Sequence, residues 1–127
     1  MTKLSLANLP KLAENAAVPS YRREDLSAGI LHFGVGNFHR AHLAVYLHDL
    51  FNQGKDLDFA IVGAGVMASD ARMKEVLKAQ DYLTTVVEQD TARSAATITG
   101  PMIDFIAAPD FDAIIDRLAD PAIRIVS

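Results

Sequence analysis

Apolar residues along the chain fall into two spacings, and the spacing separates strands from helices. Ile30 to Phe33 and Phe59-Ala60-Ile61-Val62 are short, nearly unbroken apolar runs, the pattern of parallel strands covered on both faces. Between them Leu43, Ala44, Leu47, Leu50 and Phe51 recur at helical intervals and predict a helix from about Asn37 to Phe51, stopped by Asn52-Gln53-Gly54. Phe38, Ala41 and Val45 make a second apolar stripe on that helix, expected to be covered on a side away from the sheet by residues other than these 127 and to be exposed when these stand alone. Met73, Val76 and Leu77 mark the buried face of the next helix, which Ser69 is placed to cap. The order is βαβ. Beyond it, Tyr82 to Glu88 and Ala95 to Thr99 are two β-rich runs whose six-residue polar link is too short for a helical crossover, so they predict a hairpin. Phe111, Ile114, Ile115 and Leu118 predict a last amphipathic helix with Asp110 as its cap, and Ile123 to Ser127 reads as a final strand. Thr2 to Asp25 has weak periodicity broken by Pro10, Pro19 and Ser20, so residues 1–28 read as a leader that packs over a domain formed by residues 29–127.

Two glycine turns sit at strand ends in this pattern. In Phe33-Gly34-Val35-Gly36-Asn37-Phe38-His39-Arg40 a strand meets two glycines and a helix begins at once. The first amides of such a helix have no intrahelical acceptor and lie at the positive end of its dipole, which suits a pyrophosphate. Gly34 would make the tight turn and Gly36 would let phosphates approach the backbone, whereas His39 stands where a dinucleotide fingerprint has its third glycine. The second turn, Gly63-Ala64-Gly65-Val66-Met67-Ala68, fits the G-x-G-x-x-A form better and has Glu88 about 20 residues further on. Its helix, however, is most naturally capped several residues later, at Ser69. Pattern alone leaves both turns open. The expected fold is α/β and Rossmann-like: a mainly parallel sheet with helices on both faces, a β-hairpin excursion and a truncated C-terminal side.

Composition narrows the function classes. The chain has 127 residues, half of them apolar and 22% charged, with a net charge of −4, which fits one globular domain and argues against a nucleic-acid footprint. It has no cysteine, hence no disulfide or thiolate metal ligand, and no run long enough to span a membrane or serve as a signal h-region. A cytoplasmic location is the default expectation. Asp70, just after the second strand, could take the ribose hydroxyls of a cofactor seated on the first turn, or simply stabilise its own helix dipole. Arg40, in the first turn of a helix, is badly placed for the dipole and well placed for a phosphate, though a solvated arginine fits the pattern too. His32, His39, His42 and His48 crowd one segment, but only His39 and His42 share a helix face and no acid stands at ligand spacing, so no metal is expected. No nucleophile elbow, Walker lysine or paired carboxylate is visible, and no catalytic residue is assigned.

Residues Leu31 to Leu43, the Gly63-x-Gly65 strand end, Lys78-Ala79-Gln80-Asp81-Tyr82-Leu83 and Asp120 to Ser127 together resemble the polyol-specific long-chain dehydrogenases, and most of all their mannitol dehydrogenase branch. The resemblance spans nearly the whole chain. It implies that the Gly34 turn, not the Gly63 turn, holds an NAD pyrophosphate, with Phe33, Gly34, Val35, Gly36, Asn37, Phe38 and Arg40 around it and Asp70 at the adenosine ribose. It also implies a metal-independent, two-domain oxidoreductase that interconverts a sugar alcohol and a ketose, whose catalytic lysine, asparagine and histidine lie in a later helical domain absent here. The chain alone is therefore expected to be inactive. Where the family often has two adjacent acids, this chain has Ser69-Asp70; the remaining carboxylate would repel a 2′-phosphate and favour NAD over NADP. Uronate reductases and other polyol dehydrogenases share the family. A stand-alone nucleotide-binding or regulatory module, holding NAD or S-adenosylmethionine on the same kind of turn, is the reading from another class. The partner expected is a small polyol or ketose, with no nucleic acid and no membrane.

Overall fold

The computed structural model describes residues 1–108 and 110–127. Strand β1 (Ala28–Phe33) lies between β2 (Ala60–Ala64) and β6 (Ile125–Val126), and β5 (Met102–Ile106) extends the sheet beyond β2, all pairs being parallel. The order β5-β2-β1-β6 is that of a doubly wound sheet seen from its first strand outward. Consecutive side chains on each strand face opposite ways, so Ile30, Ile61 and Phe105 build one core and Leu31, Val62 and Ile106 another. The first core is roofed by Leu43 and Leu47 of helix α2 (37–52) and by Met73 and Leu77 of α3 (Asp70–Lys78). Ile114 of α4 (Phe111–Ala119) covers the other core. Helices thus lie on both faces, as the apolar runs of the strands require. The expected hairpin forms as β3 (Thr84–Gln89) against β4 (Ser94–Thr99), an antiparallel pair outside the main sheet.

Four sequence expectations need correction. Met102–Ile106 was not expected as a strand, because Asp104 interrupts its apolar run; the carboxylate is accommodated by Arg117 of α4, 3.1 Å away. The last strand is shorter than Ile123 to Ser127, since a turn carries Ile123 N–H back to the Asp120 carbonyl. Ser69 makes no side-chain cap; Asp70 Oδ2 instead accepts from the amides of Val66 (2.8 Å) and Met67 (2.9 Å) and closes the segment before α3. The second stripe of α2 is not one face: Phe38 and Ala41 are exposed and Val45 is half-buried. The reason is local winding. Residues His39–Leu43 form a π turn before Ala44–Asn52 continues as α-helix, with Ala44 N–H reaching the His39 carbonyl. One extra residue in the turn rotates everything before it by about 100° relative to an unbroken wheel, so Phe38 and Val45 do not share a face. Asp110 does cap α4, accepting from Ala113 N–H at 3.2 Å.

The leader runs through a short 3₁₀ turn and helix α1 (Leu9–Leu12) and is pinned at several points. Leu6 N–H donates to Asp81 Oδ2, Arg23 donates to the Asp81 carbonyl, and Ala17 bridges to Thr97 of β4. Tyr21 stands edge-on to Phe51 and His48; its hydroxyl accepts from Gly100 N–H (3.1 Å) and meets His48 Nδ1 at 2.7 Å. The hydroxyl thus links the Gly100 amide to the His48 ring. Burial raises the Tyr21 pKa and keeps its phenolic proton in place. No described helix is long and apolar enough to cross a membrane.

His39 is the polar residue set deepest at the start of α2. It is 1% exposed, stacks on His32 with ring centroids 5.0 Å apart, and its Nδ1 has no described partner. Burial, then the neighbouring His32 and Arg40 charges, pull its pKa from 6.5 down to about 4. A group whose folded pKa is depressed disfavours protons in the folded state, so this contribution is complete above pH 6.5 and drains away as pH falls towards 4. The full loss is about 3 kcal/mol. Urea unfolding between pH 7 and pH 4 should show it, and His39→Phe should flatten the pH dependence in that window. Tyr21→Phe leaves the Gly100 amide and His48 without their shared partner and should cost roughly 1–3 kcal/mol by the same unfolding measurement at pH 7.

Candidate functional site

The parallel register sets the ends of β1 and β2 side by side, with Phe33 opposite Ala64, so the two glycine turns emerge next to one another at the C-terminal edge of the sheet. That edge is where open α/β sheets bind ligands. The turns differ in what their glycines are for. At Gly63 a Cβ would come within 2.6 Å of Val35 and 2.9 Å of Phe105, and at Gly65 within 2.9 Å of the Asp70 side chain and 3.1 Å of the Ala108 amide nitrogen. Both are required by internal packing. Gly34 has φ +82°, the left-handed region glycine enters without strain, and its amide donates to the Ala64 carbonyl at 2.9 Å. At Gly36 a Cβ would meet nothing within 4 Å.

Donor availability divides the turns in the same way. The Val66 and Met67 amides are consumed by Asp70, while those of Val35, Gly36, Asn37 and Phe38 donate to no described residue. The Gly63 turn also lacks the acid that sequence spacing assigned to it: Glu88 lies in the antiparallel hairpin, exposed and opposite Ala95, rather than at the end of a parallel strand.

Around the Gly34 turn the expected residues are brought together in unequal ways. Phe33 ends β1 partly exposed, Asn37 and Phe38 stand in solvent, and Val35 buries its side chain in the core so that only its backbone faces the edge. Arg40 donates to Asn37 Oδ1 at 3.0 Å, and its Nε is buried with no described partner. Arg40 also lines, with Ser69, Asp70, Arg72, Met73 and Val76, a hollow of about 390 Å³ between α2 and α3. Arg72 was not singled out from the sequence; nothing in its spacing signals that it shares a hollow with a residue of α2. At the β6 side, Ser127 Oγ meets His32 Nδ1 at 2.8 Å. The four histidines diverge: His32 and His39 stack together, His42 stands between Phe38 and Tyr46, and His48 joins Tyr21. Among the described residues no three His, Asp or Glu side chains are placed to hold a metal ion.

Comparison with known proteins gives a consistent result. The family model described as the mannitol dehydrogenase Rossmann domain matches residues 28–127. Mannitol 2-dehydrogenase of Cereibacter sphaeroides is 56% identical over 110 residues, 86% of this chain and 23% of that protein. Mannitol 2-dehydrogenase of Pyricularia oryzae is 42% identical over 130 residues, 98% of this chain and 26% of that protein. Among solved structures, the ternary complex of Pseudomonas fluorescens mannitol 2-dehydrogenase with NAD and D-mannitol superposes with a TM-score of 0.93 at 42% identity, covering 98% of this chain and 26% of that one. A D-sorbitol dehydrogenase in substrate-free form superposes at 0.88 with 36% identity and the same coverage. The chain thus spans about a quarter of the length of the relatives it matches. On these matches and on its parallel sheet, the chain belongs to the mannitol dehydrogenase family, whose Rossmann domain it forms from residue 28 to residue 127.

Proposed function

We propose that the Gly34 turn is the pyrophosphate seat of an NAD-dependent, metal-independent polyol dehydrogenase of the cytoplasm, with mannitol and its ketose as the substrate pair. The observation that carries this is Gly36. Its missing side chain leaves open space in front of unengaged amides, so what requires a glycine there comes from outside the described protein. Val35, Gly36, Asn37 and Phe38 would present backbone donors, with Gly34 making the turn and Phe33 bordering it at the end of β1. Arg40 would add a cation beside the turn, and the second oxygen of Asp70 would face the adenosine ribose. The NAD complex of the Pseudomonas fluorescens relative, which superposes over nearly all of this chain, supports the cofactor assignment.

When bound, NAD supplies the hydride acceptor; the residues of this chain bind and orient it. Acid-base work on the alcohol falls to the lysine, asparagine and histidine that the family places in its helical domain, outside residues 29–127. The leader, residues 1–28, would steady α2 and the hairpin from behind.

Gly36→Val tests the seat. A Cβ at this position meets no protein atom within 4 Å, so unfolding stability should stay within about 0.5 kcal/mol. NAD affinity of the full-length protein should fall at least about tenfold, because the side chain occupies the phosphate approach. Unchanged NAD titration would remove the Gly34 turn from the site. The full-length protein should form NADH from mannitol and NAD, whereas residues 1–127 alone should form none above background; turnover by the shorter chain would place acid-base residues within it.

A further inference from the structure

We propose that His32 is a positioning residue for the Gly34 turn: hydrogen-bonded to Ser127 and stacked on His39, its ring ties the end of β6 to the start of α2 and holds the turn's free amides in place. The inference rests on the pyrophosphate seat at that turn and concerns what keeps the seat in shape. His32 is half-buried near the end of β1, opposite Gly63 of β2 and on the strand face of Ile30, which α2 covers. Its Nδ1 lies 2.8 Å from Ser127 Oγ. The Ser127 carbonyl accepts from Phe33 N–H at 2.8 Å, and the Ser127 amide donates to the Leu31 carbonyl at 3.0 Å. Three hydrogen bonds thus fix Ser127 to the last three residues of β1.

From His32 the restraint passes to the helix. His39, the first residue of the π turn, lies on the His32 ring with centroids 5.0 Å apart and planes 24° from parallel. Its buried Nδ1 has no described partner, so the stack, and not a hydrogen bond through that atom, sets where the ring sits. Burial lowers the pKa of both rings, which lets them lie face to face uncharged. Between the two histidines runs Phe33 to Phe38, the segment that carries the unengaged amides of Val35, Gly36, Asn37 and Phe38. The stacked rings therefore clamp the two ends of this loop together at its base. On the β2 side the loop is held by the Gly34 amide on the Ala64 carbonyl and by Val35 over Gly63; the His32–Ser127 pair is the corresponding hold on the β6 side. Donors that must meet a ligand together need to be held to within about 0.5 Å, so loosening this base weakens binding without removing a ligand contact.

Titration calorimetry of the full-length protein with NAD tests the role. Ser127→Ala removes the hydroxyl and keeps the backbone bonds; it should weaken NAD roughly threefold to tenfold, and Ser127→Thr, which keeps a hydroxyl, should restore the affinity. His32→Phe keeps a ring against His39 without the hydrogen bond and should show the same loss. The double variant should lose no more than either single one, because both act through one bond. With mannitol as substrate, KM for NAD should rise while kcat is unchanged, a split that general destabilisation does not produce. Unchanged NAD affinity in Ser127→Ala, or single losses that multiply in the double variant, would overturn the proposal; if His32→Phe fails to fold, the Ser127→Ala and Ser127→Thr pair decides it. Absence of NAD binding by the unaltered protein would instead overturn the seat itself, and the positioning role with it.

Discussion

The turn after β1 keeps its shape because it rests on a strand position with no side chain. Val35 drops into the core over Gly63, where any Cβ would collide with it, and the neighbouring Gly34 amide bonds to the Ala64 carbonyl. The first glycine turn is therefore braced by the second. This explains why two fingerprints occur in one chain: one is a surface feature and the other is the packing that supports it. Close packing fixes their relative height, and the unengaged amides of Gly36 and Asn37 inherit that rigidity.

Much of this was legible in the sequence wherever burial on one or both faces imposed a period. The apolar runs of β1 and β2, the Met73 and Leu77 positions of α3 and the cap at Asp110 reappear in the structure because local pattern and tertiary burial ask for the same residues, whereas Val76, expected on the buried face of α3, is 50% exposed. Failures came where a distant side chain changed the terms. Asp104 hid β5, since its compensation by Arg117 crosses from strand to helix. Ser69 lost the cap to Asp70, whose carboxylate reaches two amides instead of one. Arg72 could not be found at all, because sharing a hollow with Arg40 depends on how α2 and α3 lie on the same face of the sheet.

Electrostatics at this edge are arranged by exclusion as much as by attraction. His32 and His39 both have lowered pKa values, because burial disfavours their charged forms, and they stack face to face as neutral rings under the start of α2. Positive charge is thereby confined to the arginines at the surface of the hollow and to the dipole of the helix itself.

The π turn at His39–Leu43 divides α2 into two rods that meet out of phase. Residues before it, Asn37 and Phe38, answer to whatever lies outside the sheet edge, while Ala44, Leu47 and Phe51 after it answer to the core and the leader. In an unbroken helix those two demands would compete for the same wheel positions, and a change made for one would disturb the other. Separating their phases makes the segment modular: mutations that retune the outward end can accumulate without repacking the inward end, so selection can act on the two halves of one helix as if they were separate parts.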